Sequence, residues 1–272
     1  QTLADARQHE GIPVVITFDR HPNAVVAPDR VPPMLYSLPQ KLRAIASLGI
    51  ANTLLIHFDR AFSEQTGEQF IRSLARDLGQ IHSVCVGSEF TFGHKRSGNI
   101  ALLKQLGAEL HFTVHGLAAV SLDGEAVSST RIREAVRQGD LNAASQMLGR
   151  EYSIAGTVIR GDQVGRQLGF PTANLDVTGL VLPPNGVYAV HVDIAGREHR
   201  GALNLGFRPT LASPEPRRQC EVHLLDFAED IYGREIEVNF ATKLRDEQKF
   251  PSLEALRTQI AADVAAARKC FA

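Results

Sequence analysis

Residues 161–174 read Gly-Asp-Gln-Val-Gly-Arg-Gln-Leu-Gly-Phe-Pro-Thr-Ala-Asn, and no other stretch of the chain carries so specific a pattern. Three glycines recur at intervals of four residues: Gly161, Gly165 and Gly169. Backbone amides at glycines can approach a ligand closely, and such amides form concave sites for anions. Thr172 and Asn174 point the same way if the following segment is extended. The pattern indicates either a phosphate-binding loop beside two oxygen ligands for Mg²⁺, or an ordinary glycine-rich hairpin.

A carboxylate within an apolar strand is the second notable feature. Residues 220–225 read Cys-Glu-Val-His-Leu-Leu, and in a strand Glu221 and His223 share one face, opposite Val222. Burying a carboxylate is costly unless it has a partner or a chemical task. Glu221 is therefore interpreted either as a structural or exposed edge residue, or as a functional acid–base group. His223 is interpreted as a core or hydrogen-bonded histidine.

The residues around these features resemble one family. Residues 169–174, Gly-Phe-Pro-Thr-Ala-Asn, resemble the Gly-x-Pro-Thr-Ala-Asn signature of riboflavin kinases. Further matches follow in the family's order at residues 184–189, 204–210, 221–227, 230–233 and 243–250. The upstream half resembles the FMN adenylyltransferase part of the bacterial two-domain enzymes. The resemblance thus covers essentially the whole chain.

The resemblance implies which groups act in the C-terminal half. Riboflavin and ATP would be converted there to FMN, with Mg²⁺ as the metal cofactor. Thr172 and Asn174 would serve the metal, and the amides between Gly161 and Gly169 would hold the ATP phosphates. Glu221 would be the general base that takes the proton of the riboflavin 5′-hydroxyl. Arg245 would belong to the wall of the flavin site.

The first half alternates apolar runs with amphipathic segments, which predicts a parallel, doubly wound α/β sheet. Predicted strands cover residues 14–18, 53–58, 83–87 and 110–115. Predicted helices cover residues 39–48, 67–78 and 100–106, and each is followed by a glycine, as helix C-termini often are. By the resemblance, this half would be a Rossmann-like nucleotidyltransferase domain.

The second half changes pattern near Gly149. Two helices are predicted before that point, over residues 128–138 and 141–148. Residues 152–240 contain strands with many Gly and Pro turns, which predicts an antiparallel barrel, and residues 211–220 are expected to be a mobile loop. A final helix is predicted after Ser252. Its expected apolar face consists of Leu253, Leu256, Ile260, Val264 and Phe271. The predicted domains are residues 1–148 and 149–272.

A second site is expected in the first domain, because ligands of parallel sheets bind beyond the carboxyl ends of the strands. Ser128 opens a helix as an ordinary N-cap or as part of a phosphate site. The resemblance to nucleotidyltransferases implies nucleotide or FMN binding by Ser128, Ser129, Thr130, Arg133, His21, Phe90, Phe92 and Gly93. In the family's Phe-x-Pro-His-Pro element, Arg20 replaces the first proline here, which weakens the role assigned to that loop. This site would convert FMN and ATP to FAD.

The family's first motif, Gly-x-Phe-Asp-Gly-x-His-x-Gly-His, is missing from the sequence. We expect that the sequence begins after it, and that the chain as written is a poor adenylyltransferase. A kinase with a non-catalytic first domain and a non-catalytic flavin or nucleotide sensor are the alternative functions.

Composition narrows the possible partners and the compartment. The formal net charge is −1 at pH 7, which gives no sign of nucleic acid. Small-molecule substrates, namely riboflavin, FMN and ATP, are what the resemblance implies. No apolar run reaches the ~18 residues of a membrane span. The three cysteines form no Cys-x-x-Cys pair, as expected of thiols in the reducing cytoplasm.

Overall fold

The chain forms two compact units in the computed structural model, which describes residues 1–207 and 218–272. The first unit comprises residues 1–32 and 38–127, and the second comprises residues 33–37 and 128–272. The two helices before Gly149 therefore group with the second unit by their contacts, while the predicted domain boundary at that glycine stays a prediction.

The loop predicted for residues 211–220 falls mostly outside the described residues. Residues 218–220 are described, and the prediction is wrong for them because they begin a β-strand.

The first unit alternates short strands with helices, as predicted. Its strands are β1 (Val14–Phe18), β2 (Asn52–Ile56), β3 (Ser83–Gly87), β4 (Thr113–Leu117), β5 (Ser121–Leu122) and β6 (Glu125–Ala126). Its helices are α1 (Thr2–Gln8), α2 (Asn23–Val26), α3 (Leu38–Ser47), α4 (Arg60–Ser63), α5 (Gly67–Leu78) and α6 (Ile100–Leu110). Strand β1 pairs with β2 and β3 with β4, both in parallel. The predicted parallel pairing is confirmed, and in the described residues it forms two separate two-stranded sheets.

Two predicted element limits in this unit are wrong for a packing reason: the end of the helix predicted over residues 100–106, and the start of the strand predicted over residues 110–115, which begins at Thr113. Helix α6 does not stop before Gly107, and it continues through Leu110. A methyl group on Gly107 would lie 2.6 Å from the carbonyl oxygen of Phe112. The glycine therefore permits close approach of the returning chain, and the helix ends instead at His111, whose φ is 63°.

The core of this unit is built by α5, α6 and the segment that leads into β4. Ile71, Leu103, Leu106 and Phe112 are buried against each other, and Val84 of β3 packs on them. Burial of each such side chain contributes roughly 1.5–3 kcal/mol. This core thereby holds β3 and β4 against α5 and α6.

The second unit is an antiparallel barrel with flanking helices. Its helices are α7 (Ser129–Gln138), α8 (Leu141–Leu148), α9 (Val164–Gln167) and α10 (Leu253–Cys270). Its strands are β7 (Ser153–Ile159), β8 (Ala173–Leu175), β9 (Gly186–Ile194), β10 (Arg197–Phe207), β11 (Arg218–Leu224) and β12 (Glu235–Arg245). They close in the order β10-β11-β8-β7-β12-β9. The predicted antiparallel barrel with a C-terminal helix is confirmed.

Strand alternation separates the inside of the barrel from its outer face. Along β11, Cys220, Val222 and Leu224 are buried, whereas Glu221 and His223 between them are only partly buried. This is the period of two that a half-buried strand requires. The polar residues of the strand therefore lie on the outer face.

Helix α10 is fixed to the barrel by an ion pair. Arg245, at the end of β12, donates two hydrogen bonds of 2.8 and 2.7 Å to the carboxylate of Asp263. Their side chains are 17% and 9% exposed. The predicted apolar face of this helix is partly wrong, because Leu253 is 65% exposed whereas Ala267 is buried.

Replacing Asp263 with alanine should lower the free energy of unfolding by about 3 kcal/mol, because it leaves a buried guanidinium without its carboxylate. Urea denaturation followed by circular dichroism measures this change. The matched control is Asp226→Ala, which removes the exposed partner of Arg268 on the same helix and should leave the midpoint nearly unchanged. Equal midpoints for both variants would show that the Arg245–Asp263 pair does not anchor the helix.

Candidate functional site

The register of the barrel brings the predicted kinase residues together. Strand β8 pairs with β11 so that Asn174 lies directly opposite Glu221. Directly opposed side chains project to one face with Cβ atoms about 5 Å apart. Thr172 precedes Asn174 by two residues, while Ala173 between them is buried. Thr172, Asn174 and Glu221 thus share the outer face of the barrel.

Asn204 completes this arrangement and was missed by the sequence reasoning. It lies opposite Glu221 on the other side of β11, in the pairing of β10 with β11. The carboxylate therefore stands between the strand positions of two carboxamides. Asn204 falls within the matched segment 204–210, but only the strand register shows that it faces the carboxylate.

The three glycines of the quoted stretch serve different purposes. A methyl group on Gly161 would lie 2.6 Å from Cγ of Asn174, and one on Gly165 would lie 3.2 Å from Oγ1 of Thr172. Gly161 therefore makes room for the Asn174 side chain, whereas Gly165 makes room first for the carbonyl oxygen of Phe170, at 2.5 Å, and then for Thr172. Gly169 has a φ of 90° and no atom near its missing side chain, so it serves the turn of the backbone.

The groups that flank Glu221 stabilise its strand. Burial, with a smaller effect of the neighbouring Glu221 carboxylate, raises the pKa of the Cys220 thiol far above its usual value, so this residue stays uncharged. Nδ1 of His223 lies 2.8 Å from the carbonyl oxygen of Pro171. A carbonyl only accepts hydrogen bonds, so this nitrogen carries the proton. His223 is a hydrogen-bonded histidine, as expected, and it braces the segment that carries Thr172.

The guanidinium of Arg245 forms hydrogen bonds within the protein. Besides its pair with Asp263, its Nη1 donates to the carbonyl oxygen of Asp246 at 2.9 Å. The assignment of Arg245 to the flavin wall stays a prediction.

A second polar network joins three of the matched segments and was not assigned from the sequence. Glu247 accepts hydrogen bonds from the side chain of Asn185 at 2.8 Å and from the amide of Phe207 at 3.1 Å. Arg218, on β11, donates to Asn185 Oδ1 at 2.9 Å. Burial is the main cause that lowers the pKa of Arg218. This network holds the end of the strand that carries Glu221.

Four residues assigned to the second site lie in the first compact unit. Nδ1 of His21 accepts a hydrogen bond from the amide of Asn23 at 3.1 Å. The rings of Phe90 and Phe92 stack with centroids 5.3 Å apart, and Phe90 is 44% exposed. A methyl group on Gly93 would lie 2.7 Å from Cα of Gly67. Phe92 is partly buried and packs against the core of the unit, so the exposed ring of Phe90 is the one that can stack on a planar ligand.

The other four residues of that site lie on the first turn of α7, in the second unit: Ser128, Ser129, Thr130 and Arg133. Ser128 is a helix cap, because its hydroxyl accepts from the amide of Arg131 at 3.2 Å. Nε of Arg133 donates to the carbonyl oxygen of Pro33 at 2.6 Å. Burial, with repulsion from Arg137, lowers the pKa of Arg133. Amides and an arginine at a helix N-terminus favour an anion.

A further polar cluster at the carboxyl ends of β1 and β2 was also missed. It contains Asp19, Arg20, Lys41 and His57. Asp19 follows the predicted strand 14–18, so the rule on ligands at strand ends could have identified it. His57 lies within the predicted strand 53–58, and only the structure, which ends this strand at Ile56, places it at the strand end.

The part of the chain that the structure describes contains no group of three His, Cys, Asp or Glu side chains suited to a metal ion. None of its helices combines the length and the apolar character needed to cross a bilayer.

Comparisons with known proteins match the two halves of the chain to two different families, in the same order as the sequence motifs. A family model described as riboflavin kinase matches residues 148–271, and one described as FAD synthetase matches residues 1–131. The bifunctional riboflavin kinase/FMN adenylyltransferase of Escherichia coli K12 is 39% identical over 273 residues, which cover 100% of this chain and 87% of that protein. The Pseudomonas fluorescens protein of the same name is 41% identical, and the match covers 95% of this chain and 83% of that protein.

A solved structure extends the likeness to the fold. A Streptococcus pneumoniae protein, titled a macrolide-efflux protein, superimposes with a TM-score of 0.80 at 28% identity. The match covers 98% of this chain and 86% of that one.

The close contact of Gly161 with Asn174 gives a test of the site. Gly161→Ala should displace the Asn174 carboxamide and weaken ATP binding about tenfold, the effect of roughly 1.4 kcal/mol of lost interaction. Isothermal titration calorimetry measures the affinity. Gly11→Ala is the matched control, because its backbone is not in the left-handed region and the added methyl group would meet only Cδ2 of His82, at 3.7 Å. Equal affinities in both variants would argue against a nucleotide beside Gly161.

Proposed function

This chain belongs to the family of bifunctional riboflavin kinases/FMN adenylyltransferases, and we propose that Glu221, Thr172 and Asn174 carry out its riboflavin phosphorylation. The chain acts in flavin cofactor biosynthesis: it is a riboflavin kinase, which makes FMN from riboflavin and ATP, and an FMN adenylyltransferase, which makes FAD from FMN and ATP. The pairing of Asn174 with Glu221 is the observation that supports the proposed site.

Phosphoryl transfer requires an oriented alcohol and a proton acceptor. Glu221 accepts the proton of the riboflavin 5′-hydroxyl as that oxygen attacks the γ-phosphorus of ATP. The bond between the γ-phosphorus and the β–γ bridging oxygen breaks, and ADP leaves with the electron pair. The carboxylate suits this role because its strand fixes it on the outer face, beside the glycine-rich segment.

The donor atoms on this face fit Mg²⁺. The hydroxyl of Thr172 and the carboxamide oxygen of Asn174 are hard oxygen ligands on one edge of the barrel, and Mg²⁺ takes such ligands together with phosphate oxygens. When bound, the ion neutralises negative charge on the ATP phosphates. Amides of the loop from Gly161 to Gly169 hold those phosphates, and Arg245 stabilises the adjoining flavin wall through α10.

The second reaction is assigned to the other set of residues. Arg133 and the first turn of α7, with Ser128, Ser129 and Thr130, bind the ATP phosphates. FMN binding is assigned to His21, Phe90, Phe92 and Gly93 of the first unit, where the exposed ring of Phe90 contacts the flavin. We assign the protein to the cytoplasm, where ATP is abundant and where its three free cysteines stay reduced.

Replacing Glu221 with glutamine should lower the riboflavin kinase rate at least about 10²-fold, because the amide cannot accept the proton. Riboflavin affinity should change little, since the volume is conserved. Steady-state kinetics and fluorescence titration of riboflavin separate the two effects. Glu198→Gln, on the neighbouring strand β10, is the control and should retain the rate. A normal rate in the Glu221 variant would remove this carboxylate from the mechanism.

Replacing Arg133 with alanine should reduce FAD formation about tenfold or more and leave FMN formation nearly intact. Coupled chromatographic assays of the two products measure both reactions in one sample. Arg137→Ala, in the last turn of the same helix, is the control for loss of one positive charge. Equal losses of both activities in the Arg133 variant would contradict two separate sites.

A further inference from the structure

A polar cluster lies at the carboxyl edge of the parallel pair β1–β2. Phe18 and Ile56 are register partners that end these two strands, so Asp19 and His57 are the next residues on each. The amide of Phe58 donates to Oδ1 of Asp19 at 3.0 Å. Asp19 therefore ties the ends of the two strands at the edge where parallel sheets bind ligands.

Asp19 also orients two basic side chains. Its Oδ2 lies 2.7 Å from Nδ1 of His57 and 3.0 Å from Nη2 of Arg20. A carboxylate only accepts hydrogen bonds, so Nδ1 of His57 carries a proton. The nearby Nη2 of Arg20, 3.4 Å from that nitrogen, is also a donor, so these two atoms do not form a hydrogen bond. Within the described residues, no hydrogen bond engages Nη1 of Arg20 or Nε2 of His57.

The carboxylate of Asp19 is much less exposed to solvent than the two side chains that it binds. The side chain of Asp19 is 19% exposed, whereas those of Arg20 and His57 are 47% and 63% exposed. Fixing two exposed side chains loses conformational entropy, and exposed ion pairs return little stability. The arrangement is therefore better explained by a ligand than by the stability of the fold.

Charge at this edge favours an anion. Lys41 of α3 donates to the carbonyl oxygen of Phe18 at 2.7 Å, and it adds a positive charge beside those of Arg20 and, when protonated, His57. Asp19 is the one carboxylate in the cluster. The hydrogen bonds from Arg20 are the main cause that keeps the pKa of Asp19 well below its usual value.

We propose that Arg20 and His57 bind a phosphate group of a substrate of the FAD-forming reaction, with Asp19 as the positioning residue for both. The phosphate belongs either to FMN or to the pyrophosphate portion of ATP. This inference rests on the proposed residue assignment for FAD formation. It gives Arg20 a role at the position where the sequence departs from the family's proline.

In this reaction, both the FMN phosphate and the pyrophosphate portion of ATP require a cationic binding site. An oxygen of the FMN phosphate forms a bond to the α-phosphorus of ATP, and the bond from that phosphorus to the α–β bridging oxygen breaks. Pyrophosphate leaves with the electron pair. Cations that hold the FMN phosphate lower the KM for FMN, whereas cations on the leaving group raise kcat.

The test compares Arg20→Ala, His57→Gln and Asp19→Asn in the full chain. Calorimetric titrations with FMN and with inorganic pyrophosphate identify the source of the phosphate. We expect each variant to lose about tenfold in affinity for one of the two probes and about tenfold in kcat/KM for FAD formation. Arg20→Lys should retain most of the affinity, because it keeps the charge. Riboflavin kinase activity should be unchanged in every variant.

The matched control is Arg60→Ala, which removes an exposed arginine paired with Glu64 on α4 and should bind both probes normally. Unchanged affinity for FMN and for pyrophosphate in all three variants would overturn the proposal. The same holds if Arg20→Lys loses as much affinity as Arg20→Ala, because a positive charge at this position would then not be enough to bind the phosphate. A wild-type chain that binds the probes but forms no FAD would contradict the proposed function, while the binding data still decide the phosphate site.

Discussion

Hydrogen bonding between β8 and β11 fixes the register on which the C-terminal site depends. Strand β8 has three residues, and it is held between β7 and β11 in a closed barrel. A slip of one residue would turn Glu221 inward and bring Cys220 to the outer face, because side chains alternate with a period of two. Burial of Cys220, Val222 and Leu224 opposes this slip, so the apolar core sets the position of the Glu221 carboxylate, the proposed general base.

The two units place polar groups by different means. In the barrel, the site stands on the outer face of paired strands, where neighbouring strands decide which side chains oppose each other. In the first unit, polar groups follow the ends of parallel strands, as Asp19 follows β1 and His57 follows β2. There the hydrogen bonds of one carboxylate, rather than a ladder of backbone pairs, align the side chains.

The segments that match the family did not by themselves reveal the structural role of each residue in them. Gly161 and Gly169 belong to one quoted pattern, yet one makes room for Asn174 and the other permits a turn. Arg245 was assigned to the flavin wall by resemblance, while in the structure it anchors α10 through Asp263. The two assignments of Arg245 are compatible if α10 forms part of the flavin wall, because loss of the Arg245–Asp263 pair would then displace that wall.

The sequence by itself determined the α/β first half, the antiparallel barrel, the closing helix and the grouping of Thr172, Asn174 and Glu221 as candidates. Those conclusions rest on periodicity, turn residues and motifs, which are local. Tertiary structure decided that Asn204 faces Glu221, that Gly107 lies inside α6, that Asp263 is buried and that Asp19 joins Arg20 to His57. Each of these depends on contacts between residues distant in sequence, or on the packing of one element against another, which local patterns do not encode.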